Sequence, residues 1–442
     1  MRGCRIVSVL ERKVAVTLDG ESHVVLAVSG GLDSMSLMHA AAKVRRPRAE
    51  VVVATFDHGT GQHAKDALQL VTQTARALGF PVRNGRSTDT IPHNETSWRR
   101  ARWEFLRSVA AADSARIVTA HTQDDHVETV VMRLLRGAEA RGLAALLADS
   151  DVARPLLCFT REQLREYASC RLVPWIEDPA NSDLRFSRNR VRHEILPALT
   201  DANPQLRRQL LRLSVRAARL RRRVEAMAIE LAERTSIGGA VTVRAELLDS
   251  MSSEQLALMW PALLARCGAV ADRRGIVRLT EWTPGARSGG RIQVSGGFEV
   301  LRLRDRFMMR RVRTLFPGNR ALAPSGVTSV GGWRFYPVEL TNIRELELMS
   351  NPWLAALDAG SSYAVRAWRP GDRMESDLAV GPRRVARFFE DERIGGPERE
   401  GWPVVMTEGG DVVWIPGVRR GRAATVWPGG PLLIYRCEYD VS

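Results

Sequence analysis

Hydrophobic positions in the first 140 residues follow two alternating patterns. Continuous apolar runs are typical of buried parallel strands, and apolar residues repeating every three or four positions are typical of helices. The runs predict strands at 23–29, 51–56, 81–84 and 116–122. The helical repeats predict helices at 33–44, 64–78, 95–112 and about 124–136. This alternation predicts an α/β fold with a doubly wound parallel sheet, whose ligands bind at the carboxyl ends of the strands.

The pattern changes beyond residue 203. One long, arginine-rich helix is predicted over 204–234, and the stretch 240–313 combines a helix near 253–267 with strand-like segments. Residues 316–332 are rich in Pro, Gly and Ser, which is typical of a linker. Short strands and a helix near 382–390 predict a small α+β domain at the C-terminus. We therefore expect four parts: a catalytic domain, a mostly helical middle domain, a linker region and a C-terminal domain, over 1–203, 204–315, 316–354 and 355–442.

A glycine pair lies between the first predicted strand and its helix. The segment reads Ser29, Gly30, Gly31, Leu32, Asp33 and Ser34. Two glycines let the backbone turn tightly and bring its N–H groups close to an anion, and the helix start adds its positive dipole end. The carboxylate of Asp33 is placed to hold Mg²⁺ on bound phosphates. Similar glycine pairs at 288–290 and 295–297 lack the following Asp, Ser and helix, so we interpret them as hairpin turns.

An acidic group follows the predicted strand at 116–122. Asp125 and Glu128 are three residues apart, so they share one face of the predicted helix near the mouth of the sheet. Paired carboxylates there could bind Mg²⁺, act as a base or hold an ammonium group. Acidic residues are also favoured in the first turn of any helix. We expect a functional role for Asp125 and Glu128, and helix capping for Asp124.

Arginines supply the candidate anion contacts. Arg99 and Arg102 share a helix face and could meet phosphates, although arginine runs are more often solvated. The chain carries 65 basic and 50 acidic residues, a formal charge of +15. Because Lys13, Lys43 and Lys65 are the only lysines, codon bias could explain that charge. The stretch 185–223, with twelve arginines and two acids, is a local basic stripe that favours a nucleic-acid partner.

Composition excludes several kinds of site. The five cysteines are scattered and never spaced C-x-x-C, which argues against disulfides, a zinc site or an iron–sulfur cluster and fits a reducing cytoplasm. No apolar run is long enough to cross a bilayer. The apolar stretch 6–10 is too short for the core of a signal peptide. We therefore expect a cytoplasmic protein that makes no membrane contact.

The loop resembles that of the N-type ATP pyrophosphatases, the PP-loop family, which cleave ATP to AMP and pyrophosphate. Taken with the other motifs, the chain resembles the tRNA(Ile)-lysidine synthase family over about residues 20–200. The resemblance also rests on the following segments: Asp57-His58-Gly59, Glu95 with Arg99, Arg102-Trp103, His121 with Asp125 and Glu128-Thr129, 133–137, 154–157, Glu177-Asp178-Pro179 with Asn181, and Arg188-Asn189-Arg190. The tail 366–373, with 383–385 and 388–389, resembles that family's C-terminal domain.

The resemblance implies the reaction. ATP would adenylate the wobble cytidine of the isoleucine tRNA with a CAU anticodon, and free L-lysine would then displace AMP to give lysidine. Asp33, Asp125, Glu128, Arg99 and Arg102 would be catalytic, with ATP on the 29–34 loop and Mg²⁺ on Asp33. The middle and C-terminal domains would bind the tRNA, and the expected contacts are Asn181, Arg188, Asn189, Arg190, Arg192, Arg369 and Arg373. Dimers occur in this family, so a homodimer is possible.

One departure and two alternatives stay open. The family usually has Gln where this chain has His126, beside Asp125 but off the face that it shares with Glu128. The same fold could instead transfer sulfur to tRNA, although that chemistry typically needs paired cysteines. A non-catalytic RNA-binding protein with a relic loop is the other alternative, and it would not bind ATP.

Overall fold

A computed structural model gives the fold in two compact units, 1–222 and 223–442. It describes residues 2–44, 49–59, 61–87, 95–235, 239–312, 318–339, 350–376, 381–424 and 431–439. None of the helices in these ranges is both long enough and apolar enough to span a membrane.

The first unit is built on a five-stranded parallel sheet. Its strands are β1 (His23–Ala27), β2 (Glu50–Asp57), β3 (Val82–Arg86), β4 (Arg116–Val118) and β5 (Val152–Ala153), in the order β3-β2-β1-β4-β5. Every neighbouring pair is parallel. The direction of winding reverses between β1 and β4, where such sheets bind ligands. This confirms the predicted doubly wound α/β sheet.

Helices connect these strands and continue beyond them. They are α1 (Arg2–Leu18), α2 (Leu32–Val44), α3 (Gln62–Ala77), α4 (Glu95–Ala112), α5 (Gln123–Leu135), α6 (Arg161–Arg171), α7 (Ser187–Arg190), α8 (Leu196–Ala202) and α9 (Leu206–Leu231). Short 3-10 turns lie at Gly142–Leu147, Pro155–Cys158 and Pro179–Ser182, and one π-helical turn lies at Val191–Ile195. The long arginine-rich helix predicted over 204–234 is therefore present, a few residues shorter at each end.

The helix α1 was not predicted from the sequence. Its buried residues Ile6, Leu10, Val14 and Leu18 recur every four positions and join the core that covers one face of the sheet. The apolar stretch at 6–10 is thus one stripe of an amphipathic helix. Glu11 on the same helix accepts a bond of 2.9 Å from Arg171 Nε, which ties α1 to α6.

The second unit begins with an antiparallel sheet in the order β6-β7-β10-β9-β8. Its strands are β6 (Glu233–Arg234), β7 (Val241–Arg244), β8 (Arg291–Val294), β9 (Phe298–Arg302) and β10 (Arg306–Arg311), with helices α10 (Ala245–Asp249), α11 (Ser253–Arg266) and α12 (Arg273–Trp282). The glycine pair at 296–297 forms the tight turn between β8 and β9, with both φ angles positive. That hairpin is confirmed. The pair at 289–290 instead bonds to Arg302 ahead of β8.

The C-terminal part contains two further antiparallel sheets and one two-stranded ribbon. The strands are β11 (Arg320–Ala321), β12 (Thr328–Val330), β13 (Trp333–Val338), β14 (Leu354–Asp358), β15 (Tyr363–Ala367), β16 (Arg373–Met374), β17 (Arg383–Arg384), β18 (Pro403–Thr407), β19 (Val412–Ile415), β20 (Arg419–Arg420) and β21 (Leu432–Tyr439). The helices are α13 (Val385–Asp391) and α14 (Gly396–Arg399). The sheet orders are β11-β15-β18-β19-β20 and β12-β13-β21-β14.

The stretch expected to be a linker contributes to these sheets. β11 pairs with β15, and β13 pairs along its whole length with β21. Trp333 and Phe335 on β13 are fully buried in the C-terminal core. The described Pro, Gly and Ser residues of 318–332 supply turns between short strands, so a linker-like composition is compatible with sheet structure there. The four domain bounds themselves stay a prediction.

Candidate active site

The glycine-rich loop lies between β1 and α2, at the point where the winding of the sheet reverses. Gly30 has a φ of +89°, a conformation that side chains disfavour. A Cβ atom there would lie 3.0 Å from the Cβ of Ala67 on α3. Both observations require glycine at this position. The carbonyl of Gly30 accepts the backbone N–H of Ile176 at 3.0 Å, which brings the 176–179 segment to the loop.

The two serines of the loop are joined to each other. The backbone N–H of Ser29 donates to Ser34 Oγ at 3.1 Å, and the two hydroxyl oxygens lie 3.2 Å apart. The Ser34 hydroxyl donates to the carbonyl of Gly31 at 3.0 Å. These bonds close the loop over the first turn of α2, whose free N–H groups point towards an incoming anion.

Asp33 occupies the first turn of α2 with a partly buried carboxylate. Its Oδ2 atom lies 3.5 Å from Arg161 Nε, whereas its buried Oδ1 atom has no hydrogen-bond partner. Burial raises the pKa of Asp33 to about 6, although the Arg161 guanidinium opposes this shift. An unsatisfied carboxylate oxygen beside a phosphate loop is the donor that Mg²⁺ prefers, so this residue fits the predicted metal role.

The first turn of α5 corrects one expectation. Its N-cap is Thr122, and the capping box is completed by Asp125, whose Oδ2 atom accepts the Thr122 N–H at 2.8 Å. Asp124 does not cap α5. Its carboxylate instead accepts the backbone N–H of Arg161, at the start of α6, at 2.8 Å and contacts Arg207 Nη1 at 2.7 Å. In a capping box, the side chain at the third helical position bonds to the backbone N–H of the N-cap residue. Asp125 is at the third position and Asp124 at the second, so Asp125 completes the box.

Arginines surround the Asp125 and Glu128 carboxylates. Glu128 is 2% exposed, and its two oxygens lie 2.7 Å from Arg192 Nε and 2.9 Å from Arg188 Nε. The Oδ1 atom of Asp125 lies 3.2 Å from Arg161 Nη2 and 3.4 Å from Arg188 Nη2. Burial opposes ionisation of Asp125, but Arg188, Arg161 and the Thr122 N–H outweigh it and hold its pKa below the usual value. Asp125 is therefore ionised at neutral pH.

These contacts form one cluster of three carboxylates and three guanidiniums. We call it the arginine–carboxylate cluster, and its members are Asp33, Asp125, Glu128, Arg161, Arg188 and Arg192. Arg188 and Arg192, predicted as tRNA contacts, thus lie beside the predicted catalytic acids. Arg161 was missed: its capping box of Thr160 and Gln163 marks a helix start, but nothing in the sequence places that start beside Asp33.

A second group of cations lies beside the cluster. Burial lowers the pKa of Arg102, and Arg99 and Arg188 add to the shift, so the charges acting on this guanidinium are themselves positive. Burial lowers the pKa of His121 to about 4, with Arg154, Arg188 and Arg102 contributing and Asp125 opposing. The ring nitrogen Nδ1 of His121 is 2.8 Å from Thr119 Oγ1. His121 is therefore neutral at pH 7, and the positive charge here comes from Arg99, Arg102 and Arg154, which would favour an anion.

The remaining residues predicted near 181–190 have different environments. The side chain of Asn189 is buried, and its amide donates to the carbonyls of Ala180 and Asp183 at 2.8 and 2.9 Å. Asn189 thus fixes the loop before α7. Asn181 and Arg190 are exposed. Their predicted tRNA contacts stay predictions.

Comparison with known proteins shows which family the chain belongs to. A model of the PP-loop domain matches residues 6–199, and a model of the TilS substrate C-terminal domain matches residues 363–434. A tRNA(Ile)-lysidine synthase of Solibacter usitatus (strain Ellin6076) is 32% identical over 438 residues, which cover 93% of this chain and 96% of that protein. The chain belongs to the tRNA(Ile)-lysidine synthase family. This confirms the family and the PP-loop fold predicted from the motifs.

Another relative supports the same family assignment. The tRNA(Ile)-lysidine synthase of Geobacter sulfurreducens is 31% identical, over 92% of this chain and 91% of that protein. Among solved structures, a U34-tRNA thiolase from Methanococcus maripaludis is 18% identical with a TM-score of 0.42, over 48% of this chain and 80% of the other. At that similarity, the thiolase carries no information on what this chain does.

The arginines predicted in the C-terminal domain lie inside the second matched region. Arg366 is buried and forms a bidentate salt bridge with Asp372, in which both N–O distances are 2.8 Å. Asp372 also accepts the backbone N–H of Arg369 at 2.9 Å. Arg369 and Arg373 are themselves exposed. In this member of the lysidine synthase family, the Arg366–Asp372 pair therefore shapes a loop that presents two guanidiniums to solvent.

Proposed function

We propose that this chain joins L-lysine to C2 of the wobble cytidine in the isoleucine tRNA with a CAU anticodon, and that ATP is cleaved to AMP and pyrophosphate. One observation carries the proposal beyond family membership. Within the arginine–carboxylate cluster, Arg161 bridges Asp33 of the phosphate loop to Asp125 and Glu128 at the mouth of the sheet. A site that must activate a base with ATP and then admit an amine needs both parts side by side.

The loop would hold ATP for the first step. Its backbone N–H groups and the α2 N-terminus bind the β- and γ-phosphates, which leaves the α-phosphate open to the cytosine C2 oxygen. That oxygen forms the new P–O bond, and pyrophosphate leaves with the electron pair of the broken one. Arg99 and Arg102 would stabilise the charge that develops on the phosphates, because Arg102 already lies among cations that favour an anion.

Asp33 is the residue that would hold Mg²⁺. Its Oδ1 atom is buried and has no hydrogen-bond partner, and carboxylate plus phosphate oxygens form a usual magnesium shell. When bound, the ion would neutralise charge on the phosphates. No group of three or more His, Cys, Asp or Glu side chains suited to a metal occurs among the described residues, so at Asp33 the phosphates of ATP would have to supply the other oxygen ligands.

Asp125 and Glu128 would receive lysine for the second step. A lysine amine has a pKa near 10.4 and enters as an ammonium ion. It needs a carboxylate counter-ion, and Asp125 is held ionised by its neighbours. Both acids are already paired with guanidiniums, so the ammonium reaches them only when an arginine moves aside. The amine, once deprotonated, attacks C2, and AMP leaves with the C–O bonding electrons.

Exposed arginines would bind the tRNA by its phosphates, which position the RNA without reading its bases. On α9 these residues are Arg207, Arg208, Arg212, Arg216, Arg219 and Arg222. In the C-terminal domain they are Arg369 and Arg373. The target base must leave the anticodon stack to reach the loop, as in other enzymes that modify bases.

Labelled lysine tests the proposal directly. The purified chain is incubated with ATP, Mg²⁺, labelled lysine and the isoleucine tRNA with a CAU anticodon, and label in the RNA is measured. Matched controls omit ATP or replace the wobble cytidine with uridine. Incorporation that needs both ATP and the cytidine supports the proposal. Absence of incorporation by protein that binds ATP and the tRNA would contradict it.

A further inference from the structure

Arg161 is anchored at its backbone and held loosely at its guanidinium. It is the first residue of α6, and its N–H donates to Asp124 at 2.8 Å. Thr160 and Gln163 complete the capping box around it. The Cα atom of Arg161 is therefore fixed beside the first turn of α5, while four side-chain torsions let the guanidinium move.

The guanidinium is spread over three acids without a close pair to any of them. Its nitrogens lie 3.5 Å from Asp33, 3.2 Å from Asp125 and 3.8 Å from Glu128. By contrast, Arg188 and Arg192 contact Glu128 at 2.9 and 2.7 Å. Charge-assisted N–H to O bonds are strongest at about 2.7–2.9 Å. The guanidinium hydrogen bonds of Arg161 are thus longer than the shortest ones of Arg188 and Arg192, although burial is outweighed by Asp125, Asp33 and Glu128, which together raise its pKa; a stronger acceptor replaces several long contacts and no short pair.

The phosphate loop places that acceptor within reach. Asp33 belongs to the loop, and its Oδ2 atom contacts Arg161. Phosphate oxygens bound at the loop bring more negative charge to this point than the carboxylate does, and a guanidinium matches their geometry with two parallel bonds. We infer that Arg161 is a catalytic residue, which exchanges Asp33 for the β- and γ-phosphates of ATP when the nucleotide binds. The inference rests on the proposed function.

The movement of Arg161 to the phosphates would help to break the bond between the α- and β-phosphates. As the cytosine oxygen attacks the α-phosphate, the Pα–O–Pβ bond breaks and its electron pair leaves on pyrophosphate. A guanidinium on the β- and γ-phosphates stabilises that growing charge, and it transfers no proton. The same movement takes Arg161 away from Asp125 and Glu128, which leaves these two carboxylates more open to the lysine ammonium.

Calorimetry on the full chain tests the inference, with ATP, pyrophosphate and AMP as separate ligands in the presence of Mg²⁺. In Arg161→Ala, the affinities for ATP and pyrophosphate should fall by roughly 10- to 100-fold, as expected when a charged hydrogen bond is lost. The affinity for AMP should stay unchanged. Arg161→Lys should recover part of the lost affinity, because lysine keeps the positive charge but lacks the two parallel N–H donors of the guanidinium. Arg165→Ala is the matched control, an exposed arginine on the same helix, and should bind all three ligands normally.

Two outcomes would overturn the inference. One is unchanged ATP affinity in Arg161→Ala, and the other is an equal loss for ATP, pyrophosphate and AMP, which indicates a structural role. If the alanine variant does not fold, Arg161→Gln and Arg161→Lys give the same comparison with a side chain of similar length. Labelled-lysine incorporation by the unmodified chain is measured in parallel. Its failure contradicts the proposed function, whereas the ligand affinities still decide the part played by Arg161.

Discussion

The Nε2 atom of His126 lies 2.7 Å from the Oγ atom of Ser214, and this bond joins α5 to α9. Both side chains are buried. The Ser214 hydroxyl donates to the carbonyl of Leu211 at 2.9 Å, so its oxygen accepts from His126, which carries its proton on Nε2. The residue next to the catalytic Asp125 candidate is thereby fixed to the arginine-rich helix.

We expect Ser214→Ala to destabilise the chain, because it leaves a buried N–H without an acceptor. The free energy of unfolding should fall by about 1–3 kcal/mol. Urea unfolding followed by circular dichroism measures it. Ser108→Ala is the control, an exposed serine bonded to the carbonyl of its own helix, and should change the value by less than about 0.5 kcal/mol. Equal effects of the two changes would contradict the role of the His126–Ser214 bond.

Low pH should destabilise the chain through protonation of the same histidine. Burial, with a contribution from Arg133, lowers the pKa of His126 to about 4, whereas an unfolded histidine titrates near 6.5. The unfolded state therefore binds more protons between these values, and stability is fully present above pH 6.5 and lost as the pH falls towards 4. His126→Gln can keep the donor to Ser214 but cannot titrate. The difference in unfolding free energy between the two proteins should change by about 1.4 kcal/mol per pH unit within this window; a constant difference would refute the assignment.

Asp33→Ala should abolish ATP–pyrophosphate turnover, since it removes the carboxylate placed for Mg²⁺ in the loop. Asp33→Asn, which keeps the shape without the charge, should be similarly inactive. The tRNA affinity should be unchanged in both variants, because the exposed arginines assigned to the RNA lie elsewhere. Release of labelled pyrophosphate and filter binding of tRNA measure the two effects. Turnover retained in either variant would exclude the assignment of Asp33.

The second unit depends on a buried ion pair between facing positions of β9 and β10. Glu299 and Arg310 are almost fully buried, with 2.9 Å between Oε1 and Nε. Glu299→Gln removes the nearer counter-charge of the buried guanidinium and leaves only the longer contact of 4.0 Å with Glu400, so we expect a loss of about 3 kcal/mol in unfolding free energy. Glu246→Gln breaks the exposed Arg244–Glu246 pair and should cost at most about 1 kcal/mol. Thermal and urea unfolding compare the two, and a similar cost in both would contradict this prediction.

The C-terminal arginines should act on tRNA affinity and not on chemistry. Arg369→Ala and Arg373→Ala should each weaken tRNA binding and lower the slope of log affinity against log salt by about one. The rate at saturating tRNA should stay unchanged. Arg76→Ala removes an exposed charge on α3 and should leave the slope as it is. A normal slope in both C-terminal variants would show that these residues do not contact phosphate.

The sequence predicts local structure well where one pattern dominates. The helix at 95–112 begins and ends where it is predicted. The glycine loop follows the first strand, as predicted, and its Gly30 has no room for a side chain. The α1 helix is hard to predict because its apolar stretch at 6–10 has the composition of a short leader segment, whereas its buried residues recur every four positions only over 6–18. The strands between 320 and 338 were missed because short strands with frequent turns have a linker-like composition.

Long-range placement is the part that the sequence could not supply. Arg161 and Asp33 are 128 positions apart in the chain, and only the winding of the sheet brings them together. The same is true of Arg188 and Arg192, whose sequence context suggests an outward basic face. Their short contacts with Glu128 depend on how α7 and the π-helical turn pack on α5.

The cations of the arginine–carboxylate cluster have a chemical consequence for selectivity among nucleophiles. An adenylated cytidine is an electrophile, and any free primary amine beside it would compete with the intended one. Arg161, Arg188 and Arg192 supply positive charge through guanidiniums, which stay protonated at all working pH values and do not attack. Under the proposed function, the positive charge of these three guanidiniums would therefore bring no competing amine to the activated base, which would not be coupled to them.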